Sequence, residues 1–353
     1  MSASGVAGYA AIHARVRAMY SNMLSVPDMA RLTETADMTA LFAALKDTAY
    51  GPYLESMKDK DLAPRQAIFQ LKNRLADTYA SVIHMAPEHT RPLLIQLYRY
   101  FEVGNLKTIL RGLLAGTAWE RIHYVLFPFG PTTVLPAEAM LEAGNVGAAV
   151  ELLRATPYYD PLTFAMKRYS TELNLFPLEV ILDLNYWRRL WQEAKRLSGQ
   201  DREQALRVVG SLVDMNNLMW AIRYRVYHRL SEEELINYTL PFGYRVRDED
   251  IRSIAAGADI PSIVERTFPG ISDVEALLEQ PRSGLPELEL QLKRRLMKQC
   301  MATFTGNPFH IGIPLAYLVL CDLELQDLIV LIEAKSSRVP EEQFQPYLLK
   351  AAT

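Results

Sequence analysis

The sequence predicts an all-α protein, and three observations support this prediction. Leu, Ala, Glu, Arg and Met dominate the 353 residues, whereas the β-branched alternation typical of strands is nearly absent. Long segments, such as residues 178–197, carry apolar residues at helical spacing. Half of the residues are apolar and 22% are charged, which is typical of an ordered globular protein. The length suffices for two or three domains with buried cores.

A repeat of fixed period organises this helical chain. The stretch "EVGNLKTILR" at 102–111 returns as "DMNNLMWAIR" at 214–223 and, more faintly, as "ELQDLIVLIE" at 324–333. Each copy has an acid, then Asn or Asp three residues later, then Leu, and the acids lie 112 and 110 residues apart. The residues that carry this pattern, called the repeat positions below, are Glu102, Asn105, Arg111, Asp214, Asn217, Arg223, Glu324 and Asp327.

Further landmarks keep step with the repeat and predict the elements in order. In each third a short helical pair comes first, and it ends near a threonine: Thr48, Thr156 and Thr267. A proline then opens a long helix, because proline suits a first turn where its missing N–H has no partner to lose: Pro64, Pro177 and Pro286. A second long helix carries the repeat positions, and its start is marked by Pro92, Asp201 and Pro314.

The landmarks divide the chain into three similar helical domains, at residues 1–130, 131–243 and 244–353. "LFPFG" at 126–130 and "TLPFG" at 239–243 follow the first two motif helices and close their thirds. The opening of the chain lacks acids before Asp28, as a transit peptide would, but Arg15 and Arg17 interrupt its apolar stretch, so an amphipathic first helix is predicted instead. The longest uncharged run, 299–321, contains glycine and two prolines, so no membrane-spanning helix is expected there.

The repeat positions are expected to stabilise the fold. On a helix, residues 102, 105, 106, 109 and 110 share one face, whose apolar part belongs in the core. The acid and the amide then lie at the edge of that core, where they need hydrogen-bond partners such as helix ends or an arginine. No base or nucleophile accompanies them, so a polar clasp that fixes helix packing is predicted, and a catalytic role is not.

No catalytic, cofactor-binding or metal-binding residue is predicted anywhere in the chain. There is no phosphate-binding loop, no GxGxxG and no HExxH. His84, Glu88 and His89 have metal-binding chemistry, but Pro87 breaks the helix that would align them, which favours a loop. The only cysteines, Cys300 and Cys321, form no CxxC pair, which indicates a cytosolic chain without a disulfide framework.

The charged stretches favour structural roles. The acids at 248–250 open a helical segment, where carboxylates cap free N–H groups, and they lack the DDxxD spacing of a magnesium-binding synthase. The basic stretches at 188–196 and 293–298 are interpreted as solvated helix faces. Contact with a protein partner or anionic headgroups is the alternative, and nucleic acid is disfavoured by the net charge of −3.

The order and spacing of these motifs resemble the C subunit of the archaeal and bacterial A/V-type rotary ATPases, whose eukaryotic counterpart is the d subunit of the vacuolar ATPase. The resemblance covers nearly the whole chain. Besides the three motif copies it includes the opening "YAAIHARVRAMYSNML" at 9–24 and "TAYGPYL" at 48–54. In the third copy Asp327 and Glu333 replace Asn and Arg, so a weaker clasp is expected there.

The resemblance implies a funnel of three helical-bundle domains with pseudo-threefold symmetry. The funnel would dock, peripherally, on the cytoplasmic face of the membrane proteolipid ring and receive the central stalk. It would transmit rotation in an H⁺- or Na⁺-transporting ATPase or ATP synthase, as a single non-catalytic copy without cofactors. Three copies of one unit can close a ring around a shaft. Two alternatives are a helical-repeat adaptor with a concave surface and an all-α enzyme with an unrecognised pocket.

Overall fold

The computed structural model describes residues 3–55, 63–228 and 230–350. Within these ranges every regular element is a helix and no strand occurs, which confirms the all-α prediction. No helix in this part of the chain is both long and apolar enough to cross a membrane. Cys300 and Cys321 are both buried as free thiols.

The first third begins with the expected N-terminal helix and continues with a short helical pair before two long helices. Its elements are α1 (Ala3–Tyr20), α2 (Val26–Thr33), α3 (Met38–Lys46), α4 (Gly51–Leu54), α5 (Pro64–Met85), α6 (Arg91–Leu114) and α7 (Trp119–Ile122), with a 3₁₀ turn at Glu88–Thr90. Pro64 is the first residue of α5, as predicted. The helix α5 ends before Pro87, and His89 lies in the 3₁₀ turn.

The second third repeats this order with a longer helix after its short pair. Its elements are α8 (Ala137–Leu141), α9 (Val146–Glu151), α10 (Tyr159–Glu172), α11 (Phe176–Arg196), α12 (Gly199–Arg223) and α13 (Glu232–Asn237), with a π-helical segment at Tyr224–His228. Pro177 and Asp201 both lie in the first turns of their helices, as the sequence predicts.

The third copy of the pattern corrects one predicted boundary. Its elements are α14 (Asp248–Ala256), α15 (Ile260–Thr267), α16 (Val274–Glu279), α17 (Pro281–Ala302), α18 (Gly312–Ser336) and α19 (Glu341–Phe344), with a 3₁₀ turn at Gln345–Tyr347. The helix α17 begins at Pro281, and Pro286 lies inside it. The prediction that Pro286 opens this helix is wrong, because Pro281 offers the same first-turn advantage one turn and a half earlier.

The short helical pairs are built from the same local bonds in all three thirds. A side-chain oxygen caps the N-terminus of the second short helix: Asp37 accepts from Ala40 N at 2.9 Å, Asn145 from Ala148 N at 2.9 Å and Asp259 from Ser262 N at 3.1 Å. The threonine that ends each pair bonds a carbonyl of the preceding turn. The three segments therefore share their stop and start chemistry as well as their order.

Six long helices form a closed arrangement. Those of each third pack together in pairs: α5 with α6, α11 with α12 and α17 with α18. Each pair also packs against the next, through α6 with α11, α12 with α17, and α18 with α5. The last contact joins the end of the chain to its beginning. The motif helices supply leucines of 0% exposure to this core at equivalent positions: Leu106, Leu218 and Leu328.

Candidate functional site: the repeat positions and the central cavity

The amides of the repeat positions bind backbone segments that follow their own helices. Asn105 donates from Nδ2 to the carbonyl of Phe127 at 2.8 Å and accepts the N–H of Phe127 at Oδ1 at 2.7 Å. Asn217 makes the same pair of bonds with Leu240, at 2.9 and 2.8 Å. Both bonded residues precede the proline of the "PFG" segments. All four side chains are buried.

The local chemistry explains why asparagine occupies these positions. A residue before proline is held in an extended conformation, so its N–H and C=O point to the same side. The side-chain amide of asparagine presents one N–H donor and one C=O acceptor, spaced so that they pair with both backbone groups of that residue. The Asp327 carboxylate lacks a donor, and it accepts two consecutive N–H groups instead, from Leu349 at 2.6 Å and Lys350 at 3.0 Å. Burial raises the pKa of Asp327 to about 6.

The acids of the first and third copies each bond to another third of the chain in the same way. Glu102 bonds to the second third, and Glu324 bonds back to the first. Glu102 accepts the N–H of Val134 at 2.7 Å and the hydroxyl of Tyr158, and Arg99 lies 3.7 Å away. Each of the two carboxylate oxygens therefore has its own donor. Both donors belong to the segments around the following short helical pair. The motif helix of the first third is thus bonded to the opening of the second.

Glu324 repeats this geometry with the opening of the first third. It accepts the N–H of Leu24 at 2.8 Å and the hydroxyl of Tyr50 at 2.9 Å. Lys350 Nζ lies 2.7 Å from its second oxygen, and the Arg74 guanidinium 3.8 Å from its first. Glu324 is 0% exposed. Because Leu24 and Tyr50 correspond to Val134 and Tyr158, the third copy contacts the first as the first contacts the second.

Asp214 differs because, among the described residues, only backbone N–H groups donate to it. It accepts the N–H of Tyr244 at 2.7 Å and that of Arg245 at 2.6 Å. The last third, to which Asp214 bonds, has Pro269 where the first two thirds have Tyr50 and Tyr158, so the shorter acid coincides with the absent phenol. Burial raises the pKa of Asp214 to about 6, although the two N–H donors oppose the shift. Gly243 is required beside it, because a Cβ there would collide with the carboxylate.

The arginines of the motif form ion pairs between neighbouring long helices and do not bind the motif acids. Arg111 on α6 makes a bidentate pair with Glu179 on α11, at 2.6 and 2.7 Å. Arg223 on α12 pairs with Glu289 on α17. Lys107 adds a second α6–α11 pair. In this way the first two motif helices are joined to the long helix of the next third.

Equivalent faces of the three motif helices line a central cavity of about 480 Å³. Gly104, Asn216 and Gln326 lie at equivalent places on this lining, each two residues after the acid of its copy. The residue two before each acid contributes as well, and its type differs between copies: Tyr100, Leu212 and Asp322. Sequence reasoning missed this lining. The lining residues recur two residues before and two residues after each acid, so they lie on the same helices as the repeat positions but on the adjacent face.

The remaining charged groups make local contacts. Lys293, Arg294 and Arg295 are half-buried: Lys293 pairs with Glu289 at 2.9 Å, and the two arginines bind backbone carbonyls of Leu348 and Pro269. The prediction of a solvated face at 293–298 is therefore wrong for these three residues. The arginines at 188 and 189 are exposed, as predicted.

No metal-binding group is gathered in the part of the chain that the structure describes. Across residues 3–55, 63–228 and 230–350, no three His, Cys, Asp or Glu side chains converge as metal ligands do. His89 instead lies 3.1 Å from Asp201, which also accepts from Tyr9 and from the N–H of Ile311. Asp201 thus joins α1, the start of α12 and the start of α18. These hydrogen bonds of His89 and Asp201 hold helices together and do not form a metal site.

The fold and its polar contacts define an all-helical repeat protein closed around a cavity. Residues 12–347 match the family described as ATP synthase (C/AC39) subunit, and the chain belongs to this family. The family's description as one subunit of a synthase supports the prediction that the chain is not an enzyme by itself.

Archaeal proteins named as the C subunit of A-type ATP synthase are similar over almost the full chain. That of Methanocaldococcus jannaschii is 24% identical over 349 residues, which cover 98% of this chain and 87% of the relative. That of Methanothermobacter thermautotrophicus is 26% identical over 334 residues, covering 93% and 83%. That of Pyrococcus horikoshii is 22% identical over 326 residues, covering 91% and 84%.

Proposed function

We propose that this chain is the non-catalytic central-stalk component that links the shaft of an A/V-type ATPase to its membrane proteolipid ring. Family membership supports a place in that complex. The observation that carries the proposal is the closure through Glu324, whose bonds to Leu24 and Tyr50 join the last motif helix to the first third. Closure leaves a cavity between the long helices that is lined from all three thirds.

A part that transmits torque must resist shear between its own units. Each junction between consecutive long-helix pairs is bonded: Arg111 with Glu179 at the first, Arg223 with Glu289 at the second and Arg74 with Glu324 at the third. Such charge-assisted bonds add geometric specificity to apolar packing. The closed arrangement therefore suits a rigid coupling between two partners, with one partner held in the cavity.

The proposed domain division follows the repeat, at 1–130, 131–243 and 244–353. Under this division each motif acid of the first and third domains bonds to the following domain: Glu102 to Val134, and Glu324 to Leu24. The three domains would form a funnel with pseudo-threefold symmetry. We further propose that it lies peripherally on the cytoplasmic face of the membrane, attached through protein contacts with the ring.

Reconstitution tests this function directly. The purified chain is mixed with the stalk proteins and with the detergent-solubilised ring of the same complex, separately and together. A ternary complex with one copy of the chain is expected by size-exclusion chromatography and native mass spectrometry. The proposal is contradicted if the chain binds neither component. It is also contradicted if the ternary complex contains more than one copy of the chain. Either result favours a general helical adaptor.

A further inference from the structure

One residue from each third of the chain meets at one part of the central cavity. Tyr100 comes from α6, Trp187 from α11 and Asp322 from α18. The same three residues line a second pocket of about 110 Å³ that continues from the larger cavity. Tyr100 is 49% exposed, a large fraction for an aromatic side chain inside a bundle. Its accessible surface faces these two spaces.

The aromatic rings form a continuous wall beside the carboxylate. The ring centroid of Tyr100 lies 5.7 Å from that of Tyr186 and 6.4 Å from that of Trp187, and the last two lie 4.9 Å apart. None of these rings is covered by a cation in the described residues, whereas Tyr50 carries Arg74 at 4.1 Å from its centroid. Tyr186 and Trp187 are each only 3% exposed, so they back the ring of Tyr100, which is the one that offers an accessible π face to the cavity.

Asp322 has unusual surroundings for a carboxylate within a bundle. Its one hydrogen bond in the described chain comes from Gln326 Nε2, at 2.9 Å on the same helix. Lys293 is the cation that acts on it, and the ammonium of Lys293 already pairs with Glu289 at 2.9 Å. Asp322 is half-buried, and the cation that acts on it is already paired, so a partner's cation would stabilise the ionised carboxylate.

We propose that Tyr100, Trp187 and Asp322 form a receptor for one Lys or Arg side chain of the protein that enters the cavity. This inference rests on the proposed function, in which that protein is the stalk. A carboxylate beside an accessible aromatic ring, here Asp322 beside Tyr100 with Trp187 behind it, is an arrangement that binds ammonium and guanidinium groups. The smaller pocket of about 110 Å³ would take the side chain, and the larger cavity of about 480 Å³ would take the tip of the element that carries it. Because the receptor uses unlike residues at equivalent repeat positions, it fixes one of three rotational registers.

Other charged groups around the receptor are already neutralised in pairs. Glu289 on α17 is shared by Lys293 and by Arg223 on α12. Asp183 on α11 pairs with Lys107 on α6. Burial raises the pKa of Asp322 to about 6, with Lys293 and Gln326 acting in the opposite direction. A cation bound at Asp322 requires the ionised form, so affinity should fall as the pH falls through about 6.

Affinity for the stalk proteins measures this receptor. The full chain, its Asp322→Asn variant and the control Asp160→Asn, which removes an equal charge at an exposed site, are titrated with the purified stalk at pH 7.5 and 5.5. Asp322→Asn is expected to weaken binding about thirtyfold or more, the usual effect of removing one partner of a charge pair that binding buries. It should also abolish the weakening of the wild-type complex at pH 5.5. Asp160→Asn should bind as the wild type does, with the same pH dependence.

The outcomes separate the receptor from the proposed function. If the wild-type chain does not bind the stalk, both fail. If it binds and Asp322→Asn binds equally well at both pH values, the stalk function stands and the receptor is overturned. If Asp322→Asn binds more weakly than the wild type by the same factor at pH 7.5 and at pH 5.5, the receptor is also overturned, because the loss would then reflect altered packing. Tyr100→Leu gives a second test, with an expected loss of about threefold to tenfold from the cation–π contact.

Discussion

Glu324 accepts a hydrogen bond from Leu24 N at 2.8 Å, so residues 300 positions apart close the helical arrangement. The same carboxylate is held by Tyr50, Arg74 and Lys350. Its equivalent Glu102 has an analogous pair of donors in the second third. The same contact pattern therefore joins the first third to the second, through Glu102, and the last third to the first, through Glu324.

Replacement of the closing carboxylate should be severely destabilising. Glu324→Ala leaves the cations of Arg74 and Lys350 without a partner in the core, and we expect a loss of about 3–5 kcal/mol in the free energy of unfolding. Glu102→Ala is the matched variant, and it should cost less because its cation, Arg99, is 20% exposed. Urea unfolding followed by circular dichroism measures both. Equal losses in the two variants would contradict the special role of Glu324.

The asparagine clasp of the second copy offers a sharper test of hydrogen bonding. Asn217→Leu keeps the volume but leaves both the N–H and the C=O of Leu240 without partners, which should cost about 1–3 kcal/mol. The neighbouring Asn216→Leu is the control, since its Nδ2 bonds only a carbonyl of its own helix, that of Leu212 at 2.8 Å. Thermal or denaturant unfolding decides. A more stable Asn217→Leu would mean that this polar face serves a partner.

Asp214 should make stability depend on pH with a defined sign. Its folded pKa of about 6 lies above the ordinary value of 3.8, so the folded state binds more protons between these values. Stability from this group is therefore present at low pH and is lost as the pH rises from about 4 to 6. At 1.36 kcal/mol per unit, Asp214→Asn should gain about 3 kcal/mol relative to the wild type across this window. A difference between the two proteins that does not change with pH would refute the shift.

The sequence predicted the interior of each repeat well and the contacts between repeats poorly. Spacing identified the faces of the motif helices, and Asn105 and Asn217 bond segments of their own third, where local order suffices. The partners of Glu324 lie at the opposite end of the chain, and helical periodicity contains no information about which element covers a face. Tyr100 and Asp322 were missed for another reason: they differ in type at equivalent positions, so a search for self-similarity passes over them.

The isolated chain is expected to bind no nucleotide. Its sequence has no phosphate-binding loop, and the cations of its central cavity are already engaged: Lys107 pairs with Asp183, Arg223 pairs with Glu289, and Lys72 donates to the carbonyl of Val125. A triphosphate would have to break these pairs. Isothermal titration with Mg-ATP at micromolar protein should give no binding heat, and the intact complex serves as the positive control. Stoichiometric micromolar binding by the chain alone would contradict this prediction.

The chain should be a monomer that high salt releases from the membrane sector without unfolding. Because the repeat lies within one polypeptide and Glu324 closes it, a second copy is not needed to complete the arrangement. The face of α11 with Arg188 and Arg189 is exposed and basic, which favours charge-assisted contact with the ring. Salt screens such contacts, since the Debye length falls from about 10 Å at 0.1 M to about 3 Å at 1 M.

A salt wash of assembled membranes and native mass spectrometry of the released chain test this prediction together. Circular dichroism of the released fraction is the control for folding, because apolar packing and the buried clasp of Asn217 should survive the salt that screens surface charges. Arg188→Glu combined with Arg189→Glu should lower the salt concentration needed for release. A stable homodimer, or a chain that leaves the membrane only when detergent is added, would contradict a single-copy coupling held by polar contacts. Release at the same salt concentration with and without the two substitutions would assign the ring contact to another face.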